Sequence, residues 1–203
     1  MGKGGHRMKC AQCMTKNCAK LGQNCTDKEF TTIASAYEGE TQQIMECAAC
    51  TEGNFYNELT RIEETRQFCQ YMGYKKIGLA FCVGVHREAR LVEAYFRKFF
   101  EVESVICKVC GVDKAKLGLQ QIKEGARESM CNPAMQAKLL EEAGVEFNVS
   151  MGLCVGHDAI FNHASSVPVT VLVAKDRVLA HNPLGAIYSR YWLKKLGIYE
   201  EEV

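Results

Sequence analysis

No apolar run in this chain of 203 residues approaches the ~18–20 residues that a membrane-spanning helix needs. The first 25 residues lack the apolar stretch of a secretory signal, which points to a chain that stays in the cytoplasm. They also contain not one Asp or Glu, although Lys3, Arg7, Lys9, Lys16 and Lys20 lie among them. Net charge is nearly absent: at +1 the chain has no global attraction to nucleic acid or to a membrane surface. Both phosphate-cradling loops, G-x-G-x-x-G and G-x-x-x-x-G-K-[ST], are missing, so no motif supports a dinucleotide or an ATP site.

What is abundant is cysteine. Twelve thiols are far more than packing requires in a chain of this size. Disulfides belong to oxidising compartments and to small domains without a core. Here 47% of residues are apolar and 24% charged, the composition of a globular chain with a real core. A cytoplasmic protein with this many thiols points to metal binding.

Three zones follow one another. The lead "MGKGGHR" before Met8 reads as flexible. Residues 8–26 are short, basic and Cys-rich with no hydrophobic period, so something other than a core must order them. Residues 27–74 read as helical. The clearest helix opens at Thr60-Arg-Ile-Glu63, a capping-box spacing in which hydroxyl and carboxylate satisfy free backbone N–H groups. Ile62, Phe68, Cys69 and Met72 repeat at helical spacing until Gly73 closes it. Residues 75–203 change rhythm. Strands are expected at 77–82, 102–107, 147–153 and 168–174. Helices are expected at 86–100, with Val92, Tyr95, Phe96 and Phe99 inward, at 132–144 and at 157–165. Asn132-Pro133 supplies an N-cap followed by proline in the first turn. Residues 177–180 are expected to pair back as a hairpin, and 108–130 are weakly patterned. Strands alternating with helices imply an α/β, Rossmann-like fold with a mostly parallel sheet flanked by helices.

The cysteines sort into two groups. Cys10, Cys13, Cys18 and Cys25 place four thiols within sixteen residues on a segment that cannot otherwise fold, which suits a tetrahedral site of four cysteines. Zn²⁺ or a [4Fe–4S] cluster on four thiolates carries about −2 charge, and the surrounding lysines would offset it. Cys82, Cys107 and Cys154 each stand where an expected strand ends, and ligands bind at the carboxyl ends of parallel strands. Cys131 precedes a helix start, where N–H groups and the dipole favour thiolate. These four would converge on one crevice, with Cys110 as an alternative to Cys107. Two of them sit in near copies, "GLAFCVGVH" and "GLCVGHD". A nucleophile is needed once, whereas a metal needs several ligands from equivalent strand ends. Cys47 and Cys50 share a helix face without further ligands nearby. Cys69 lies on an apolar helix face and reads as core. His86 and His157 follow the two Cys-Val-Gly turns and read equally well as caps or crevice donors.

The stretches "KKIGLAFCVG", "MCNPAMQAKLLEEAGVEFNVSMGLCVGHDAIF" and "VPVTVLVAKDRVLAHNPLGAIY", with the leading cysteines, resemble an uncharacterised family of cysteine-rich predicted metal-binding proteins. The family carries a domain of unknown function and is common in anaerobes. The resemblance runs from Lys9 to about Tyr188. Its most specific pieces are Met130-Cys-Asn-Pro133 and residues 152–158 and 175–183. It implies a cytoplasmic metal-binding protein with ligands at the same two groups of cysteines, and it provides no role for Cys47, Cys50 or Cys69.

Three functions compete. The first is an iron–sulfur protein with a [4Fe–4S] cluster on the crevice cysteines and zinc or a second cluster on the leading four. It would serve redox or sulfur-transfer chemistry with a small-molecule or sulfur substrate or a redox partner. The second is a hydrolase in which Gly152-x-Cys-x-Gly156 is a nucleophile elbow carrying Cys154, followed by Asp176 and His181. The third is a zinc-knuckle-type module contacting nucleic acid. It ranks last, because residues 8–26 hold no aromatic side chain on which a base could stack.

Overall fold

Between residues 8 and 46 the chain has almost nothing to bury, and every residue except Asn17 and Ile44 is exposed. The computed structural model describes residues 8–198, and the lead before Met8 lies outside the described residues. Contacts divide the chain into two compact units, Met1–Glu46 and Cys47–Val203. The first holds one turn of 3-10 helix at Cys10–Gln12 and the short helices α1 (Asn17–Leu21) and α2 (Phe30–Ala34). Helix α3 (Glu40–Phe55) begins in this unit and runs into the next, so the helical zone read at 27–74 crosses the boundary.

Helix α4 (Arg61–Met72) starts as its sequence dictates. The Thr60 N–H donates to Glu63 Oε2 at 2.9 Å, and the Glu63 N–H donates back to the Thr60 hydroxyl. Those contacts hold the Glu63 carboxyl below the usual carboxylate range, the Thr60 hydroxyl contributing most. Gly73, at φ 77°, ends the helix in the left-handed region that glycine adopts without steric cost.

The remaining elements alternate: β1 (Lys76–Phe81), α5 (His86–Phe96), β2 (Glu101–Ile106), α6 (Pro133–Glu142), β3 (Phe147–Met151), α7 (His157–Ala164) and β4 (Val169–Val173), with α8 (Arg190–Leu196) last. All strand pairs are parallel, in the order β2-β1-β3-β4. The result is an α/β fold, a four-stranded parallel sheet flanked by helices. Helix α6 packs against α7, and α5 lies against β1 and β2. Every residue of β3 is buried, as expected for a central parallel strand covered on both faces. Phe147 packs with Phe68 and Tyr74 at ring-centroid distances of 5.5 and 5.4 Å. On the opposite side Asn148 meets Gly78, where a Cβ would collide with its Oδ1 and crowd Leu140.

Two expectations are corrected. Helix α5 stops at Phe96, and the turn that follows carries Phe99 outward, where the Arg66 guanidinium lies 5.2 Å from its ring. Residues 177–180 form turns and do not pair with β4. Asp176 takes the Val178 and Leu179 N–H groups on its carboxylate, which curls the chain where a hairpin would extend it. The weakly patterned 108–130 holds two single turns of 3-10 helix, Val109–Gly111 and Lys114–Leu117. Among the described residues no helix is long and apolar enough to cross a membrane.

Candidate metal centre

The strand order reverses between β1 and β3, and an open parallel sheet binds its ligands outside the strand carboxyl ends at that point. Cys82 is the residue after β1, Cys107 the residue after β2, and Cys154 lies just past β3. The backbone ladder continues one step beyond the sheet and fixes the first two. The Cys107 N–H donates to Phe81 O at 2.8 Å, and the Cys82 N–H donates to Met151 O at 3.0 Å.

Cys131 arrives by a different route. After Cys107 the chain leaves the sheet and returns as a loop closed on itself by Met130 N–H to Val112 O at 2.8 Å and by a 2.7 Å Lys114–Glu128 ion pair. The Asn132 N–H then donates to Cys107 O at 2.8 Å, which seats Cys131 beside Cys107. Gln136, fully buried on the first turn of α6, donates from Nε2 to Val105 O at 2.7 Å and Phe81 O at 3.3 Å. It thereby ties the ends of β1 and β2 together under the cysteines.

The four sulfurs feel one another, and each has its own surroundings. Cys107 is 2% exposed and Cys82 6%; Cys131 and Cys154 are half-buried. Burial and the neighbouring Cys131 and Cys82 push the Cys107 thiol up to about 12, although the Val83 N–H approaches its sulfur at 3.3 Å. Burial works against ionisation of Cys82 too. There the Gly84 N–H, 3.5 Å from Sγ, the Lys175 ammonium and the Cys107 thiol outweigh it, and the Cys82 pKa falls below that of an ordinary cysteine. A Cβ at Gly84 would stand 3.2 Å from Lys175 Nζ and 3.8 Å from Cys82 Sγ, so glycine leaves room for that cation. Burial raises the Cys154 pKa, partly offset by Arg177, whose guanidinium donates to Cys154 Sγ at 2.8 Å. Burial and the nearby charges of Lys108 and Lys114 lower the His157 pKa, a further sign of positive potential at this end of the sheet.

Four neighbouring thiols beside two cations suit a thiophilic, anionic group in donor chemistry and in charge. Among the described residues, no three His, Cys, Asp or Glu side chains are disposed to hold a metal ion. Cys10, Cys13, Cys18 and Cys25 are exposed on the first unit. The Cys10–Cys13 turn is closed by the Cys13 N–H on Cys10 O at 3.1 Å. The Thr15 hydroxyl, 3.6 Å from Cys13 Sγ, and the N–H groups of Lys16 and Thr15 lower the Cys13 pKa.

The other candidates fall outside the crevice group. Cys110 is exposed at φ 69°, so Cys107 and not Cys110 faces the other thiols. Cys69 is fully buried, and burial drives its pKa to about 12. Cys50 is exposed and Cys47 half-buried on α3. The His86 ring packs beside Phe81 at 5.8 Å. The parts of a hydrolytic relay are otherwise engaged. His181 Nδ1 accepts from the Asp176 backbone N–H at 3.2 Å, the Asp176 carboxylate caps its own turn, and Cys154 pairs with Arg177. Arg177 and Gln136 escaped the sequence reading. Neither has a motif, and the only hint for Arg177 was its place just after the last strand.

No solved structure matches the chain. The chain is 46% identical over 190 residues to the uncharacterized protein MJ0455 of Methanocaldococcus jannaschii, a match covering 93% of this chain and 98% of the relative. A family model matches residues 21–172, a span that takes in Cys25 and all four crevice cysteines. Both matches span the strand-end thiols, and the chain belongs to the family described as Protein of unknown function (DUF1847).

Proposed function

We propose that this is a cytoplasmic iron–sulfur protein in which Cys82, Cys107, Cys131 and Cys154 hold a [4Fe–4S] cluster at the carboxyl end of the sheet. The observation that carries the reading is the nearness of four thiols dispersed in sequence at one end of the sheet, with Lys175 beside Cys82 and Arg177 beside Cys154. A cluster on four thiolates carries about −2 charge, which those two cations would balance. A cluster takes one thiolate per iron and spreads its ligands more widely than a single tetrahedral ion. That favours it over zinc in the crevice. When bound, such a cluster supplies electron transfer, or sulfur chemistry where one iron can exchange a ligand.

The protein's own residues divide the remaining work. Gln136 and the extended ladder hold the strand ends in register, burial keeps water from Cys82 and Cys107, and Lys175 stabilises the Cys82 thiolate. Residues 8–26, with Cys10, Cys13, Cys18 and Cys25, form a second metal-binding segment for zinc or another cluster. The helical zone 27–74 and the Rossmann-like domain 75–203 follow it. Partners on this reading are a redox protein or a small sulfur-containing substrate.

Anaerobic purification followed by iron, zinc and acid-labile sulfide analysis tests the reading. About four irons and four sulfides lost on Cys107→Ala substitution are expected for the crevice. Protein that takes up neither iron nor sulfide on reconstitution refutes it.

A further inference from the structure

Two consecutive amides of one turn point at two different sulfurs. After β1 the Val83 N–H reaches Cys107 Sγ at 3.3 Å, and the Gly84 N–H reaches Cys82 Sγ at 3.5 Å. Strand register explains the pairing. Phe81 stands opposite Ile106 at the end of the β1–β2 ladder, and the bond from the Cys107 N–H to Phe81 O carries that ladder one step further. Cys82 and Cys107 are therefore the next opposed pair. Opposed residues on parallel strands send their side chains to the same face, and adjacent strands lie about 4.8 Å apart. That spacing falls within the roughly 4.4–6.8 Å between Cα atoms that a disulfide spans.

We infer that Cys82 and Cys107 are a redox-active dithiol, which a small hydroperoxide oxidises to a disulfide. The inference needs no metal and does not rest on the iron–sulfur reading. Burial selects the oxidant. Both residues are almost fully buried, so hydrogen peroxide has access where a bulky disulfide does not. The Lys175 ammonium and the Gly84 N–H beside Cys82 mark its sulfur as the one that attacks. Cys82 Sγ takes one peroxide oxygen, the O–O bond breaks, and the departing hydroxide picks up a proton as water. Cys107 Sγ then attacks the sulfur of the sulfenic acid so formed. The S–S bond forms, the S–O bond breaks, and the second hydroxide leaves as water with the Cys107 proton. The dithiol loses two electrons, and the peroxide gains them in becoming two waters. A sulfur held in the disulfide cannot also serve as a metal thiolate, so the oxidised pair and a crevice metal exclude each other.

The test uses the full-length chain, freed of metal by chelation and reduced with a phosphine that is then removed. Stoichiometric hydrogen peroxide is added under argon, and free thiols are alkylated at once. Trypsin places Cys82 in peptide 77–87 and Cys107 in peptide 99–108, with no other cysteine in either. Mass spectrometry is expected to find these two peptides joined as the principal cross-link, released again by the phosphine. Treatment in concentrated urea should lower the share of that cross-link by about fivefold, because only the fold makes the two cysteines neighbours. Lys175→Gln should give the same cross-link about tenfold more slowly. Cys82 and Cys107 both alkylated after peroxide treatment overturn the inference, as does Cys107 joined to Cys131 in preference to Cys82. An unchanged share in urea also overturns it. Equal rates in wild type and Lys175→Gln overturn the assignment of Cys82 as the attacking thiol. Iron and sulfide analysis of untreated protein judges the iron–sulfur reading separately.

Discussion

Cys10, Cys13, Cys18 and Cys25 are neighbours in sequence on a segment that buries nothing, whereas Cys82, Cys107, Cys131 and Cys154 are dispersed in sequence and gathered by a sheet. The first group has its short spacing and no scaffold; the second has a scaffold and no spacing. The difference concerns where the cost of ordering the ligands falls. In the leading segment no hydrophobic burial offsets the chain entropy, so on the proposed reading metal binding would supply the ordering. In the crevice the sheet, α6 and the Cys107–Asn132 hydrogen bond already bring the thiols near one another, and on the proposed reading a metal would add to a structure that stands without it. The two near-identical stretches make the same point on a smaller scale. Gly84 lies close to Lys175 and has no positive φ, while Gly156 takes φ 83°, so one motif yields two different backbone turns.

Metal removal should expose this contrast most visibly. After exhaustive chelation under reducing conditions, proteolysis within residues 8–46 is expected to accelerate by at least tenfold. The remainder from about Cys47 onward should persist as a stable fragment by mass spectrometry. Equal protection of both regions in the metal-free protein would show that the leading segment orders itself without metal.

Single substitutions sharpen the contrast. Cys13→Ala is expected to abolish metal binding at the leading site while the crevice retains its iron, and Cys107→Ala to do the reverse. Metal analysis of the two variants reads this directly. A loss of both metals from either variant would mean that the two sites depend on one another.

A smaller effect lies in pH. Cys69 and Cys107 hold their protons to about 12 in the folded chain, whereas an unfolded thiol ionises near ~8.5. Between these values the folded state binds more protons than the unfolded state, so stability falls as pH rises. In metal-free protein the loss is about 1.4 kcal/mol per pH unit for each group. Urea midpoints taken at about pH 8 and about pH 10.5 check the slope. Cys69→Ala should flatten it by one proton, besides lowering stability overall by removing a buried side chain. The smallest effect expected is at Cys13, where the Thr15 hydroxyl lowers the thiol pKa. Thr15→Ala should slow alkylation of metal-free Cys13 by roughly two- to threefold near neutral pH.

Much of the fold was legible because the signals are local. The capping box at Thr60 and Glu63, the four apolar runs and the Asn132-Pro133 helix start all act within a few residues, and each produced the expected element. The strand-end rule even indicated where Cys82, Cys107 and Cys154 would stand. The misreadings involve competition between distant or subtle groups. Residues 177–180 are apolar enough for a strand, but Asp176 captures two N–H groups and makes a turn. Phe99 fits the helical period, but α5 ends one turn earlier.

The number of thiols, their division into a clustered and a dispersed group, and the alternation that makes a parallel α/β sheet were determined by the sequence itself. They depend on local spacing and hydrophobic period alone. Which cysteine faces which neighbour was decided only by the tertiary structure. The reversal between β1 and β3, the returning loop before Cys131 and the approach of Lys175 and Arg177 bring together groups far apart along the chain. Contacts at such separations are fixed by packing and hydrogen bonding across the sheet, and no local pattern records them.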